Sequence, residues 1–230
     1  MDVAGVQQRW VREHGSIEAA AAAWGSVDAV MGCWPRTIRS IRLAGCQALT
    51  DAGLTALRCP NLQSLDLEGC HGVTACGTGT LVLGCPLLAE LNLSRCRCWP
   101  GAAASVAWIA KLRHLRALRI AHCRGVTDSS LRTIAAGCWR LQLLDVRGCT
   151  ATTGNVARQV LADCPMLQQL KLGHRAMAAL HEIAPALRSL PRGHRLMSLT
   201  MAGHVPYGMR PGMTQACPVV DVVYDKAFPA

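Results

Sequence analysis

Apolar residues return along this chain in one fixed frame. Leu62, Leu65 and Leu67 stand inside the segment Cys59 to Cys70, with Ser64, Asp66 and Glu68 between and after them. The same frame sets Leu88, Leu91 and Leu93 between Cys85 and Cys96, and Leu141, Leu144 and Val146 between Cys138 and Cys149. It also fits Ile38, Ile41, Leu43 and Cys46, then Leu115, Leu118, Ile120 and Cys123. Further on it fits Leu167, Leu170 and Leu172 with Arg175 in the Cys place, and Leu196, Leu199 and Met201 with His204 there. That makes seven copies. An eighth strand is expected from Cys217-Pro218-Val219-Val220, with Val223 in frame but Asp225 where an apolar residue is required.

The closing cysteines Cys46, Cys70, Cys96, Cys123 and Cys149 are 24, 26, 27 and 26 residues apart. A period of that size belongs to stacked repeats, in which each unit buries its apolar face only against its neighbours. Within each unit the last two apolar positions alternate with polar ones, which predicts a short strand with one face inward. Parallel strands then stack at about 4.8 Å, one per repeat. Between strands the chain must return. Leu49-Thr50-Asp51 and Val126-Thr127-Asp128 each supply a Thr that can cap a helix and an acid suited to its N-terminal end. Leu54 with Leu57, and Leu131 with Ile134, continue an apolar helical face. The Gly77-x-Gly79 return is poor helix and is expected to be irregular.

These residues resemble the cysteine-containing leucine-rich-repeat family, whose Cys-Pro-x-Leu-x-x-Leu-x-Leu-x-x-Cys and Thr-Asp-x-x-Leu pattern runs here from about Pro35 to His204. The expected fold is an α/β leucine-rich-repeat solenoid, a horseshoe with parallel strands on the concave face and helical or irregular returns on the convex face. Residues 1–34 are expected to form an N-terminal helical cap or a truncated segment, 35–204 the repeat domain, and 205–230 a C-terminal cap or tail. Functionally the resemblance implies a protein-interaction module, above all the substrate-binding half of an F-box protein in an SCF-type ubiquitin ligase. The alternative is a scaffold without a ligase, in a cytoskeletal or ciliary assembly. The Leu-Pro opening and apolar helices of an F-box are not found in Met1 to Trp34, so an SCF adaptor is expected only if an F-box stands elsewhere. Ser26 to Trp34 reads instead as the helix end that precedes a repeat.

Composition narrows the chemistry. Hydrophobic residues make up 51% of the 230 and aromatics only 4%, so the core must be layered from Leu, Val, Ile, Ala and Cys. No apolar run is long enough to span a membrane, and charges at Asp2, Arg9, Arg12 and Glu13 interrupt any secretory leader, so an intracellular, cytoplasmic protein is expected. Of the 13 cysteines the repeat accounts for nine, as strand-end corners or as the ends of preceding returns. Cys96-x-Cys98 has the wrong spacing for zinc, and the odd count argues against a disulfide framework. Reduced thiols, no metal and no cofactor are expected. His71, His122 and His174 read as corner residues, and no nucleophile elbow, phosphate loop or zinc-protease motif occurs, so no catalytic residue is assigned.

The formal charge is +10, carried almost wholly by Arg, since only Lys111, Lys171 and Lys226 are lysines. An Arg excess suits phosphate or carboxylate recognition and is also what a GC-rich genome produces. If the strands line a concave face, their polar positions form columns. One column reads Arg42, Asp66, Asn92, Arg119, Asp145, Lys171 and Thr200. Two residues earlier stand Ser40, Ser64, Glu90, Ala117, Leu143, Gln169 and Ser198; two residues later, Ala44, Glu68, Ser94, Ala121, Arg147, Gly173 and Ala202. Asp66, Glu68 and Glu90 are expected to form an acidic patch, and Arg119, Arg147 and Lys171 a basic one enclosing Asp145, with Leu143 as a hydrophobic anchor. A face of both signs without aromatic rings fits a polypeptide partner and offers no track or stacking platform for nucleic acid.

Overall fold

The computed structural model describes residues 26–32, 34–97, 106–153, 155–173, 183, 185, 187, 190, 194–202 and 221–225. The expectations placed on 1–25, on the corner residues His174, Arg175 and His204, on Cys98 and on Cys217 to Val220 lie outside these. The described strands are β1 (Ser40–Arg42), β2 (Ser64–Asp66), β3 (Glu90–Asn92), β4 (Ala117–Arg119), β5 (Leu143–Asp145), β6 (Gln169–Leu172), β7 (Ser198–Ala202) and β8 (Asp221–Asp225). They form one parallel sheet in chain order, β1 to β8.

The register repeats the sequence frame. Ile41, Leu65, Leu91, Leu118, Leu144, Leu170 and Leu199 pair in succession across the sheet. All seven are buried, as are the flanking rows from Ile38 to Leu196 and from Leu43 to Met201. Identical apolar rows stacked one strand apart make the core a ladder, in which each rung is held by the rung on either side. At β8 the register corrects the sequence reading. Leu199 pairs with Val222 and Met201 with Tyr224, one residue earlier than a frame built on Val223. The shift sets Asp225 opposite Ala202 and so removes the apparent acid from an apolar row.

The returns are short helices on one side of the sheet: α1 (Val27–Met31), α2 (Asp51–Ala56), α3 (Ala75–Gly79), α4 (Leu81–Gly84), α5 (Asp128–Gly137) and α6 (Asn155–Asp163). A 3-10 turn at Ile109–Lys111 closes the return before β4. Residues 75–84 are therefore helical in two pieces on either side of Thr80, not irregular. The physical reason is at the helix start. Thr74 Oγ1 accepts from Cys76 N, while its own N–H and hydroxyl reach the Asp51 carboxylate of the preceding repeat at 2.7 and 2.5 Å. Asp28 does the same for Thr50 and Asp128 for Thr153. Each acid thus satisfies donors that a helix N-terminus leaves unpaired, but in the next repeat rather than its own. A Cβ on Gly77 would stand 2.3 Å from the Asp51 carboxylate, and one on Gly53 2.4 Å from that of Asp28. Glycine is present there to let the carboxylate pass.

Candidate protein-interaction face

One side of the sheet is covered by helices, and the polar columns of the strands lie on the other. The central column keeps its register from Arg42 through Asp66, Asn92, Arg119, Asp145 and Lys171 to Thr200. Its members divide into two kinds. Asp66, Asn92 and Asp145 each turn Oδ1 onto the backbone N–H two residues on, at Glu68, Ser94 and Arg147, over 3.1 to 3.2 Å. These side chains cap the ends of their own strands. Arg42 is exposed and Arg119 and Lys171 are half-buried. Among the described residues none of those three cations pairs with a carboxylate.

Asp145 is the place where the expected patch has to be redrawn. It is only 4% exposed. Arg147 closes over it with Nε 3.0 Å from Oδ1 and Nη2 2.9 Å from Oδ2, a two-pronged ion pair. Two-pronged pairing of a guanidinium with a carboxylate is the strongest arrangement open to them, so this pair is internal structure. Of the expected basic patch, Arg119 and Lys171 remain as surface charge. On the acidic side Glu68 accepts from Asn92 Nδ2 at 3.3 Å and lies 3.8 Å from Arg95, and Glu90 is exposed with Ser64 Oγ 3.5 Å from its Oε2. In the column two residues later, Ser94, Ala121 and Gly173 sink below the surface, and Ser94 Oγ accepts from Ala121 N. Leu143 stays half-buried on the face, where the sequence placed it.

One further column was not read from the sequence. Arg39, Gln63, Ala89, Arg116, Gln142 and Gln168 precede the strands, and each gives its carbonyl to two successive N–H groups of the next repeat. Arg39 O, for instance, receives Gln63 N at 2.8 Å and Ser64 N at 2.9 Å, and Gln142 O receives Gln168 N at 2.8 Å and Gln169 N at 2.9 Å. Strict alternation would point this column inward with the core leucines. The doubled acceptance turns the backbone before the strand begins, and the column faces the groove instead. Five polar residues in those six positions were the available signal. This column and the next line a groove of about 690 Å³.

The corner cysteines perform a different task. Cys70 Sγ donates to Leu43 O, Cys96 to Leu67 O, Cys123 to Leu93 O and Cys149 to Ile120 O, over 3.0 to 3.2 Å. Each thiol bonds one repeat to the one before it. Burial pushes Cys70, Cys138, Cys149 and Cys164 up to about 12 and Cys85 to about 11. Thiols held protonated in this way are poor nucleophiles. His122 is shifted down, first by burial and then by the cations of Arg95 and Arg147.

This repeat frame, with its one-strand-per-unit parallel sheet, defines a leucine-rich-repeat fold. The family described as Leucine Rich repeat matches at residues 35–57, 58–77 and 111–135. Over 109 residues the chain is 32% identical to F-box/LRR-repeat protein 4 of Bos taurus, a match covering 45% of this chain and 18% of that protein. It is 35% identical over 105 residues to Antagonist of mitotic exit network protein 1 of Eremothecium gossypii, covering 44% of this chain and 26% of the relative. The matches thus span about a fifth to a quarter of the length of these curated relatives. The leucine-rich-repeat-containing protein LegL7 of Legionella pneumophila has the same fold, with a TM-score of 0.53 at 13% identity over 85% of this chain and 67% of that one. The chain is therefore built of leucine-rich repeats similar to those of F-box/LRR-repeat protein 4, and leucine-rich repeats typically serve as non-enzymatic modules for binding proteins. No described helix is long and apolar enough to cross a membrane.

Proposed function

We propose that this chain captures a protein on the open face of its sheet, as the substrate-recognition part of an SCF-type ubiquitin ligase, and carries out no reaction itself. The observation that carries the reading is Arg119 and Lys171, two strands apart on that face, two cations with no carboxylate partner among the described residues while Arg147 is neutralised by Asp145. The contact surface is Arg42, Ser64, Glu90, Arg119, Leu143 and Lys171. Asp66, Glu68, Asn92, Asp145 and Arg147 set its shape and charge through their internal bonds. Similarity to an F-box/LRR protein supports the ligase assignment. A scaffold without ligase parts is the second reading, since a leucine-rich-repeat face binds proteins whether or not a ligase is attached.

Affinity capture from native cell extract with the proteasome blocked tests both. The double variant Arg119→Glu, Lys171→Glu spares the buried Asp145 pair and is expected to fold and to lose the partner. Recovery of a cullin and its small adaptor by the wild type, with further proteins lost from the variant, is the expected result. A stable assembly without ligase parts would replace the first reading by the second.

A further inference from the structure

We propose that the groove before the strands reads an extended acidic segment of its partner, two carboxylates spaced four residues apart followed by an apolar side chain. The inference rests on the reading of the sheet face as a polypeptide-binding surface and adds the chemistry of what it binds.

Three guanidiniums line the groove, Arg39 and Arg116 just before β1 and β4, and Arg119 on β4. None of them is ion-paired among the described residues, and the one acid lining the groove is Glu90 on β3. The groove is thus net basic, and Arg is the side chain whose fork grips a carboxylate with two parallel bonds. Between the two basic points stands Gln63, and beyond them Gln142 and Gln168, whose amides can donate to and accept from a peptide backbone. The doubled backbone bonds behind this column hold it in place before any partner arrives. The main chain of the row is thus fixed beforehand, and what has to be ordered on binding is its exposed side chains, Arg39 and Arg116 among them.

Spacing follows from the sheet. Arg39 and Arg116 are separated by three strand intervals, about 14 Å at about 4.8 Å each. An extended peptide lying across the strands advances about 3.4 Å per residue, so about four residues cover that distance. Residues four apart in an extended chain point to the same side, so both carboxylates face the sheet. Leu143 lies one strand beyond Arg116, which places an apolar side chain about two residues further along the peptide. Glu90, between the basic points, repels an acid at the intervening positions. The groove has no aromatic lining on which bases could stack.

The test is fluorescence anisotropy at physiological salt with the full chain and labelled ten-residue peptides in both chain directions. One peptide carries Glu at i and i+4 and Leu at i+6; the others move the second Glu to i+2, or replace both by Gln. An oligouridine of ten nucleotides completes the set. The i, i+4 peptide is expected to bind at least tenfold tighter than either control in one direction, and to lose at least tenfold with Arg116→Glu but not with Arg132→Glu on the helix face. Equal binding of both acidic peptides, or indifference to Arg116→Glu, would overturn the spacing. Tighter binding of oligouridine would make the groove a nucleic-acid site and overturn the proposal. Because no ligase component is present, failure here leaves the capture of substrates untouched, and failure of the capture experiment leaves this one standing.

Discussion

Gly45, Gly69, Arg95, His122 and Gly148 each stand one residue before a closing cysteine, and all five have φ between 57° and 77°. That left-handed geometry costs an L-residue roughly 1–2 kcal/mol, part of which is offset because glycine gives up more chain entropy on folding. Arg95 carries the strain in return for a long, exposed contact to Glu68, which contributes little. Arg95→Gly is therefore expected to stabilise the protein by about 0.5 kcal/mol and Gly69→Ala to destabilise it by about 1 kcal/mol, read from urea unfolding midpoints. His122 is different, since its ring occupies the space where Gly148 lacks a side chain, 2.4 Å from where a Cβ would stand. Of this layer the sequence showed the cysteine and the corner. It could not show that Asp145 is buried, because a carboxylate two residues before an Arg reads equally as surface charge until the pair is seen to close.

At the level of elements, the Thr-Asp pairs were legible as caps, and they are caps. What local reasoning missed is that the acid serves the following repeat, a relation that exists only once repeats are stacked. The same blindness made Gly77 look like a helix breaker. This predicts a coupled pair of substitutions. Gly53→Ala should destabilise by about 1 to 3 kcal/mol through overpacking against Asp28, despite alanine's better helix propensity. Asp28→Ala alone should cost about 1 kcal/mol by freeing two donors at Thr50. In the double variant the costs should not add, because the tightest contact is gone and only the side-chain end of Leu49, 2.8 Å from the new Cβ, still has to give. A double-mutant cycle with strictly additive values would show that carboxylate and glycine do not share the space assigned to them.

Over the whole molecule one core runs through every described repeat, so the protein should melt as a unit and respond to pH through its thiols. Burial holds Cys70, Cys138, Cys149 and Cys164 near 12 against an ordinary 9.0, so the folded state keeps protons that the unfolded chain releases. Stability is then level with respect to these groups below pH 9 and falls as pH rises from 9 toward 12. Urea midpoints in reducing buffer should drop across that interval, with a shallower slope in Cys149→Ser; an unchanged slope would mean the corner thiols do not govern it. The sheet, its register through β7 and the outward column were all visible in the period of the sequence. The groove-lining column was not, since it depends on a backbone turn that strand periodicity does not contain. The central claim is that the open sheet face is where a protein partner sits. Photocrosslinking measures this directly, with a benzophenone amino acid placed in turn at Ser40, Ser64 and Gln169 on the sheet face and at Arg132, Ala136 and Arg158 on the helix face, in native extract. Adducts to a common partner from the sheet positions alone are the expected result, and adducts from the helix positions with none from the sheet would contradict it.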